Sequence, residues 1–261
     1  MTEPTTADSP GEPWPEPLRG VEAKLRRAKE HTDYLKEEIN RFTQSDQHRY
    51  PTERNADGSE YVGRVFFDPI PDPIRWGVIV GDIAHNLRSA LNALAWQLVI
   101  KAGGRPDFQT EFPIFKDAGL FRVGVKTKLR GVSDEMLAKV EAVQPFQLSP
   151  ERVTKHALWL LHDLNNMDKH RLILPVVTAF QQATPLAVSA GAEIRIAPSA
   201  EHGAVILHVI PAKPTLELEM KLLLAYRVSI QVENTAFEIG QLTHDLGLQV
   251  QDVGLRFAEF F

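Results

Sequence analysis

The segment 161–171, with the sequence LHDLNNMDKHR, concentrates side chains that are uncommon on an ordinary surface helix. Histidine, aspartate and asparagine are poor helix formers, but they are effective metal ligands and hydrogen-bonding groups. The segment 81–92, GDIAHNLRSALN, has a similar composition. These two predicted helices indicate where a functional site lies, although their residue types alone do not name a reaction.

On a helical wheel of about 100° per residue, each helix gathers polar residues on one face. In the first helix this face holds Asp82, His85, Ser89 and Asn92, flanked by Asn86 and Arg88 and in line with Trp96. In the second helix it holds His156, Asp163, Asn166 and His170, around Trp159. A tryptophan on a polar face indicates that the face is covered, either in a ligand pocket or in a buried polar network between the helices.

The first functional hypothesis is a pocket between the two helices that binds a nucleotide or RNA and requires no cofactor. Cations would contact phosphate, while histidine, asparagine and tryptophan would contact a base or sugar. The predicted catalytic residues are His85, Arg88, Asp163 and His170. The predicted ligand-binding residues are Asn86, Trp96, Trp159, Asn166, Lys169 and Arg171. Asp168 is predicted to be structural, either paired with Arg171 or Arg88 or capping a neighbouring helix.

A divalent metal is the alternative. Imidazole and carboxylate groups suit such a metal, and the candidate ligands are His85, His162, Asp163 and Asp245. The pair His162-Asp163 is similar to the central motif of HD-type phosphohydrolases, and the segment HNLR at 85–88 resembles the first histidine helix of that fold. This resemblance implies a metal-dependent phosphohydrolase. A non-catalytic interaction or scaffold protein is the third hypothesis.

Four segments, HNLRSALN, FPIF, VQPF and LHDLNNMDKHR, together resemble an uncharacterised family of bacterial proteins that is frequent in actinobacteria. The resemblance covers most of residues 72–174 and brings no established activity. In that family the first helix often reads HNLRSALDHL, which resembles the HEPN ribonuclease motif of an arginine followed by a histidine. Ala93 occupies the histidine position here, so the analogy implies a degenerate HEPN-like protein.

The composition of the 261-residue chain limits its function classes. The net charge is −5, so the chain has no overall basic footprint for nucleic acid, and without cysteine it has neither disulfides nor thiolate metal sites. No apolar run reaches the ~18 residues of a membrane span, so we expect no membrane association and a cytoplasmic location. The proline-rich residues 1–17 are expected to form a disordered leader.

The remaining chain, 18–261, is predicted to be a single α+β domain. A helical, bundle-like half spans 18–174, and an antiparallel meander with a closing helix spans 175–261. The predicted helices cover 18–42, 73–101, 133–144, 149–171 and 246–260. The predicted strands cover 61–67, 110–115, 186–189, 193–197, 204–210, 215–220 and 228–233. The basic stretch 122–130 is expected to be a solvated loop, and the apolar stripe of 18–42 is a candidate homodimer seam.

Overall fold

The computed structural model describes residues 14–44, 51–66, 72–180, 192–196, 199–200, 203–211 and 225–261. Within them the chain combines α-helices with antiparallel sheets, which confirms the α+β class. The helices are α1 (Arg19–Thr43), α2 (Pro73–Lys101), α3 (Ala118–Lys128), α4 (Asp134–Ala142), α5 (Ala157–His170) and α6 (Ile239–Ala258). None of the helices in this part of the chain has the length and apolar character that crossing a membrane requires.

Local signals determine where several helices begin. The Asp72 side chain accepts a hydrogen bond from the backbone of Arg75 at 2.8 Å, and proline occupies the first position of α2, as the sequence predicts. Ser133 caps α4 in the same way, also as predicted. The predicted start of α5 at Ser149 is wrong. That helix begins at Ala157, where the ring of His156 accepts a hydrogen bond from the backbone of Leu158.

The chain forms two compact units, each built from separate stretches of sequence. The first contains the chain up to His31 together with Gly81–His170 and Thr243–Phe261, and the second contains Thr32–Val80 and Arg171–Leu242. Large apolar residues fill the core of the first unit, among them Leu87, Leu94, Phe112, Leu158 and Leu161. The polar segments of α2 and α5 both belong to this unit.

The second unit contains two four-stranded antiparallel sheets. The strands are β1 (Thr52–Arg54), β2 (Tyr61–Arg64), β3 (Val176–Phe180), β4 (Glu193–Ile196), β5 (Ser199–Ala200), β6 (Val205–Ile210), β7 (Ala225–Val232) and β8 (Thr235–Glu238). One sheet has the order β1-β2-β6-β4, and the other has the order β5-β3-β7-β8. The strands predicted at 61–67, 193–197, 204–210 and 228–233 correspond to β2, β4, β6 and β7. Those predicted at 186–189 and 215–220 lie outside the described residues.

Two predictions for the first unit are wrong. Residues 110–115 do not form a strand, because side chains rather than a neighbouring strand bind two of their backbone amides. Asn92 accepts from Phe112 at 3.2 Å, and Gln144 accepts from Phe115 at 3.0 Å. The basic stretch 122–130 is not a loop, since most of it belongs to α3, which Asp117 caps.

The apolar stripe of α1 is buried within the chain itself. Leu18, Val21, Ala28, Leu35 and Ile39 are each at most 7% exposed. Intramolecular packing therefore accounts for this stripe, and dimerisation through 18–42 stays a prediction. Of the predicted leader, residues 1–13 lie outside the described part, while Glu16 and Pro17 begin a short 3-10 helix.

Candidate functional site

A buried arginine on α2 is the centre of the candidate site. Arg88 is 8% exposed, and its Nη2 donates to Glu111 Oε2 at 3.1 Å. The second oxygen of Glu111 accepts from Lys128 Nζ, in the last turn of α3. Among the described residues, Nη1 of Arg88 is the one buried side-chain nitrogen or oxygen without a hydrogen-bond partner. A buried donor left unpaired costs about 1–3 kcal/mol, so this atom is a candidate for contact with a ligand.

The irregular segment that carries Glu111 is held by buried amide side chains. Gln144 is fully buried and accepts from the backbone of Phe115, while its Nε2 donates to Pro113 O at 2.9 Å and Val140 O at 3.1 Å. Asn92 binds the backbone of Phe112 from α2. Because these bonds fix the residues that follow Glu111, its carboxylate is held next to Arg88.

His162 on α5 is the imidazole associated with this group. Its Nε2 lies 3.0 Å from Nδ2 of Asn166, one turn further along the helix. With the Asn166 amide donating, the neutral ring carries its own proton on Nδ1. Burial lowers the pKa of His162, and the positive charge of Arg88 lowers it further, with smaller contributions from Lys169 and Lys128 and an opposing one from Glu111. The ring is therefore neutral at pH 7 and lies within the electrostatic field of Arg88.

The two charges of the ion pair respond differently to their environment. Burial lowers the pKa of Arg88, and Glu111 partly offsets this effect. Burial raises the pKa of Glu111, but hydrogen bonds and charge interactions with Lys128 and Arg88 outweigh burial and bring the pKa below its ordinary value. Both groups are therefore charged at neutral pH. We call Arg88, Glu111, Lys128 and His162 the Arg88 cluster.

An aromatic ring lies beside the Arg88 cluster. The ring of Trp159 lies 5.0 Å from that of His162, with an interplanar angle of 36°. The ammonium group of the exposed Lys116 lies 4.0 Å from the centroid of the Trp159 ring, within the range of a cation–π interaction. Trp159 is half-buried, so part of its surface is accessible to solvent.

A second polar group lies at the other end of the polar segments of α2 and α5. Asp82, His85 and Asp168 are all exposed, and we call them the acidic cluster. The helices approach so closely here that a side chain at position 81 would clash with Asp168. A Cβ atom at Gly81 would lie 2.0 Å from Oδ1 of Asp168. The partial burial of Asp168 against α2 raises its pKa, and the negative charge of Asp82 raises it further, while His85 opposes the increase.

The predicted site residues are distributed over both clusters and the surface. Of the predicted catalytic residues, Arg88 belongs to the Arg88 cluster, His85 belongs to the acidic cluster, Asp163 is half-buried and His170 is exposed. Of the predicted ligand-binding residues, Asn166 and Trp159 both contact His162. Asn86 donates to Asp82 O. The other three are exposed: Trp96, Lys169 and Arg171. Arg88, one predicted partner of Asp168, pairs with Glu111 instead, and Asp168 lies against Gly81. The pairing of Asp168 with Arg171 stays a prediction.

The structure does not group the ligands of the alternative metal site, which stays a prediction. The part of the chain that the structure describes contains no group of three or more histidine, aspartate or glutamate side chains that could hold a metal ion. The predicted ligands His85, His162, Asp163 and Asp245 therefore do not form such a group. Electrostatics gives a physical reason, since the ring of His162 lies in the field of Arg88, Lys128 and Lys169, and these charges repel a metal cation.

Sequence reasoning missed four residues that build or border the site: Lys116, Glu111, Lys128 and Gln144. All four lie outside the two polar helices. Glu111 lies in the predicted edge strand and Lys116 follows it, Lys128 belongs to the basic stretch that was expected to be a solvated loop, and Gln144 ends a predicted short helix. The capping residue Asp117 was an available signal. A helix that begins there has Lys128 in its last turn. Its buried residues Phe121 and Val125 mark the face turned to the core, and the position of Lys128 relative to that face can be read from the helical spacing.

Comparison of the chain with models of protein families, with curated proteins and with solved structures finds no match. The resemblance to an uncharacterised bacterial family and the HEPN analogy therefore stay predictions. The chemistry of the Arg88 cluster and its surroundings is therefore the basis for inferring a function.

Proposed function

We propose that the chain binds a nucleotide or RNA at the Arg88 cluster, with a phosphate oxygen accepting a hydrogen bond from Arg88 Nη1. The observation that carries this proposal is the buried Nη1, which lacks a partner among the described residues. A guanidinium group has donors and no acceptor, and its planar geometry suits phosphate oxygens. A phosphate oxygen would therefore supply the acceptor that the described residues do not provide.

The charges around Arg88 support an anionic ligand. Lys128 and Lys169 both contribute positive potential at His162, as does Arg88, whereas Glu111 contributes the opposite sign. The neutral ring of His162 offers an N–H donor at Nδ1 while Nε2 is occupied by Asn166. Donors and positive charges in a partly buried environment attract a phosphate group more strongly than they would in water.

The Trp159 ring supports a ligand that also carries a base. A nucleobase gains about 1–3 kcal/mol by stacking on an aromatic side chain, and every base has a suitable face. Lys116 lies over the Trp159 ring, and its long side chain is exposed. A base that displaces Lys116 would stack on Trp159 while its phosphate extends towards His162 and Arg88.

The proposal is tested by calorimetric titration of the full chain with adenosine 5′-monophosphate and with a short oligoribonucleotide. We expect the wild type to bind at least one of them, and Arg88→Ala to weaken binding at least tenfold. Arg88→Lys, which keeps the charge and removes the planar fork, should also bind more weakly. Trp159→Ala should reduce binding of the base-bearing ligand but leave circular dichroism unchanged.

Matched controls distinguish a local effect from a general loss of charge. His85→Ala alters the acidic cluster on the same helix, and Arg171→Ala removes an exposed arginine beyond α5. Both variants should bind within about twofold of the wild type, because they lie outside the Arg88 cluster. The proposal fails if neither ligand binds the wild type, or if folded Arg88→Ala binds as tightly as the wild type.

A further inference from the structure

The ion pairs of Glu111 indicate which kind of phosphate the Arg88 cluster accepts. We infer that Glu111 makes this site selective for a singly charged phosphodiester over a doubly charged phosphate monoester. The inference rests on the proposed function, since it concerns the ligand of the same site. It identifies Glu111 as a specificity-determining residue and an internal phosphodiester linkage as the preferred ligand group.

Glu111 occupies two of the site's cations at once. One carboxylate oxygen accepts from Arg88 Nη2 at 3.1 Å, and the other accepts from Lys128 Nζ. Arg88 and Lys128 are cationic side chains and Glu111 is an anionic one, so the three together carry a net charge of about +1. Among these three side chains an incoming anion therefore finds one net positive charge, and Arg88 Nη1 is a buried donor without a partner among the described residues.

The carboxylate has little freedom to withdraw from an approaching anion. Only 40% of the Glu111 side chain is exposed, compared with 10% for Arg88. The backbone immediately after it is bound by Asn92 at Phe112 and by Gln144 at Phe115. Its ion pairs also keep its pKa below the ordinary value, so it does not take up a proton at neutral pH to reduce the repulsion.

The charge of the ligand then determines how strongly Glu111 opposes it. A phosphodiester carries one negative charge, while a terminal phosphate carries about 1.5 to 2 negative charges at pH 7 because its second pKa lies near 6. The second charge of the monoester is attracted by the cations and repelled by Glu111, and it must also lose its hydration to enter a partly buried site. Because the three side chains carry a net charge of about +1, a phosphodiester is neutralised there, whereas the second charge of a monoester is not. Partial burial reduces solvent screening of the repulsion by Glu111.

The experiment compares two ligands that differ in this charge and in one methyl group: adenosine 5′-monophosphate and its methyl ester. Calorimetric titrations at pH 7.5 give the ratio of their dissociation constants for each variant. We expect the wild type to bind the methyl ester about tenfold more tightly than the free nucleotide. Glu111→Gln, which keeps the shape and removes the charge, should abolish or reverse this preference by strengthening binding of the free nucleotide about tenfold.

Two further variants make the test independent of the stability of Glu111→Gln. Lys128→Gln lowers the net charge of the site, so it should increase the preference for the methyl ester. Glu135→Gln removes an exposed carboxylate at the start of α4 and should leave the ratio at the wild-type value. Opposite shifts in Glu111→Gln and Lys128→Gln support the inference.

The outcomes separate this inference from the proposed function. If both ligands bind in an Arg88-dependent manner but the wild type prefers the free nucleotide, the selectivity is refuted and the proposed function stands. An unchanged ratio in Glu111→Gln or in Lys128→Gln also refutes it. If neither ligand nor an oligoribonucleotide binds the wild type, both proposals fail.

Discussion

Two polar clusters each contain side chains from both α2 and α5, and they differ in burial and in the sign of their charge. The Arg88 cluster contains a buried guanidinium, a glutamate, a lysine and a neutral histidine, and one of its buried donors has no partner in the part of the chain that the structure describes. The acidic cluster contains two carboxylates and a histidine, all exposed. Water can satisfy exposed polar groups, whereas a buried donor depends on the protein or on a ligand. Polar residues in similar patterns on the same helix therefore differ in whether they need a hydrogen-bond partner other than water.

The largest effect should come from the buried amide that holds the segment of Glu111. Gln144→Ala leaves Phe115 N, Pro113 O and Val140 O without their side-chain partner, so we expect a loss of roughly 3 kcal/mol in the free energy of unfolding. Urea-induced unfolding followed by circular dichroism measures it. Asn86→Ala is the matched control beside the acidic cluster, since it removes one amide bond to Asp82 O and should change the stability by less than about 0.5 kcal/mol. Equal losses would show that burial does not distinguish the two regions.

A smaller effect is expected from the arginine itself. Arg88→Ala removes a buried charge and its packing, but Glu111 keeps Lys128 as a partner and the cost of the unpaired Nη1 disappears. We therefore expect a loss of about 1–2 kcal/mol, below the 3–5 kcal/mol typical of a broken buried ion pair. His85→Ala should change the stability by less than about 0.5 kcal/mol because His85 is exposed. Thermal unfolding of both variants tests this difference, and a larger loss in His85→Ala would contradict it.

Much of the helical structure could be predicted because it depends on local sequence. The apolar spacing of 73–101, the cap at Asp72 and the proline that follows it correctly predicted α2. The segment 110–115 was assigned incorrectly, because its apolar residues suggest a strand while its hydrogen-bond partners Asn92 and Gln144 lie 20 and 29 positions away. No local pattern records such long-range partners.

The candidate site could be predicted only in part for the same reason. The two polar helices drew attention to Arg88, His162 and Asn166, but the wheel placed Arg88 only at the flank of a polar face and did not show that it is buried. Glu111 and Lys128 lie 23 and 40 positions from Arg88 in sequence, and tertiary packing brings them together. Trp96 illustrates the converse, because it was expected to lie on a covered face and is 43% exposed.

The next prediction concerns the pH dependence of stability at His162. Burial and the charge of Arg88 lower the pKa of His162 in the folded chain below the value of 6.5 for an ordinary histidine. As the pH falls below this value, the unfolded chain binds a proton that the folded chain resists, so stability decreases. Wild-type protein should therefore lose more stability between pH 7 and pH 5 than His162→Gln, as measured by urea unfolding at each pH. The difference should shrink in an Arg88→Ala background, and identical pH profiles would contradict the assignment.

The smallest effect is expected in the acidic cluster, and it has the opposite sign. Burial and Asp82 raise the pKa of Asp168 in the folded chain above the ordinary value of 3.8. As the pH rises above this value, Asp168 loses its proton more readily in the unfolded chain than in the folded chain. Asp168 therefore lowers the free energy of unfolding at neutral pH but not at strongly acidic pH. Asp168→Asn keeps the shape that fits against Gly81 and removes the charge, so it should stabilise the protein at pH 7 by on the order of a few tenths of a kcal/mol, because water screens an exposed carboxylate.

Asp82→Asn is the matched variant, because it removes the second cause of the raised pKa of Asp168. It should give part of the same stabilisation at pH 7, and adding it to Asp168→Asn should give less than the sum of the two, since both act on one repulsion. Unfolding of the single and double variants at pH 3 and pH 7 measures this coupling. A loss of stability in Asp168→Asn at pH 7 would mean that the carboxylate makes a favourable interaction as a charged group. The acidic cluster would then also depend on a specific partner, and exposure would no longer separate it from the Arg88 cluster.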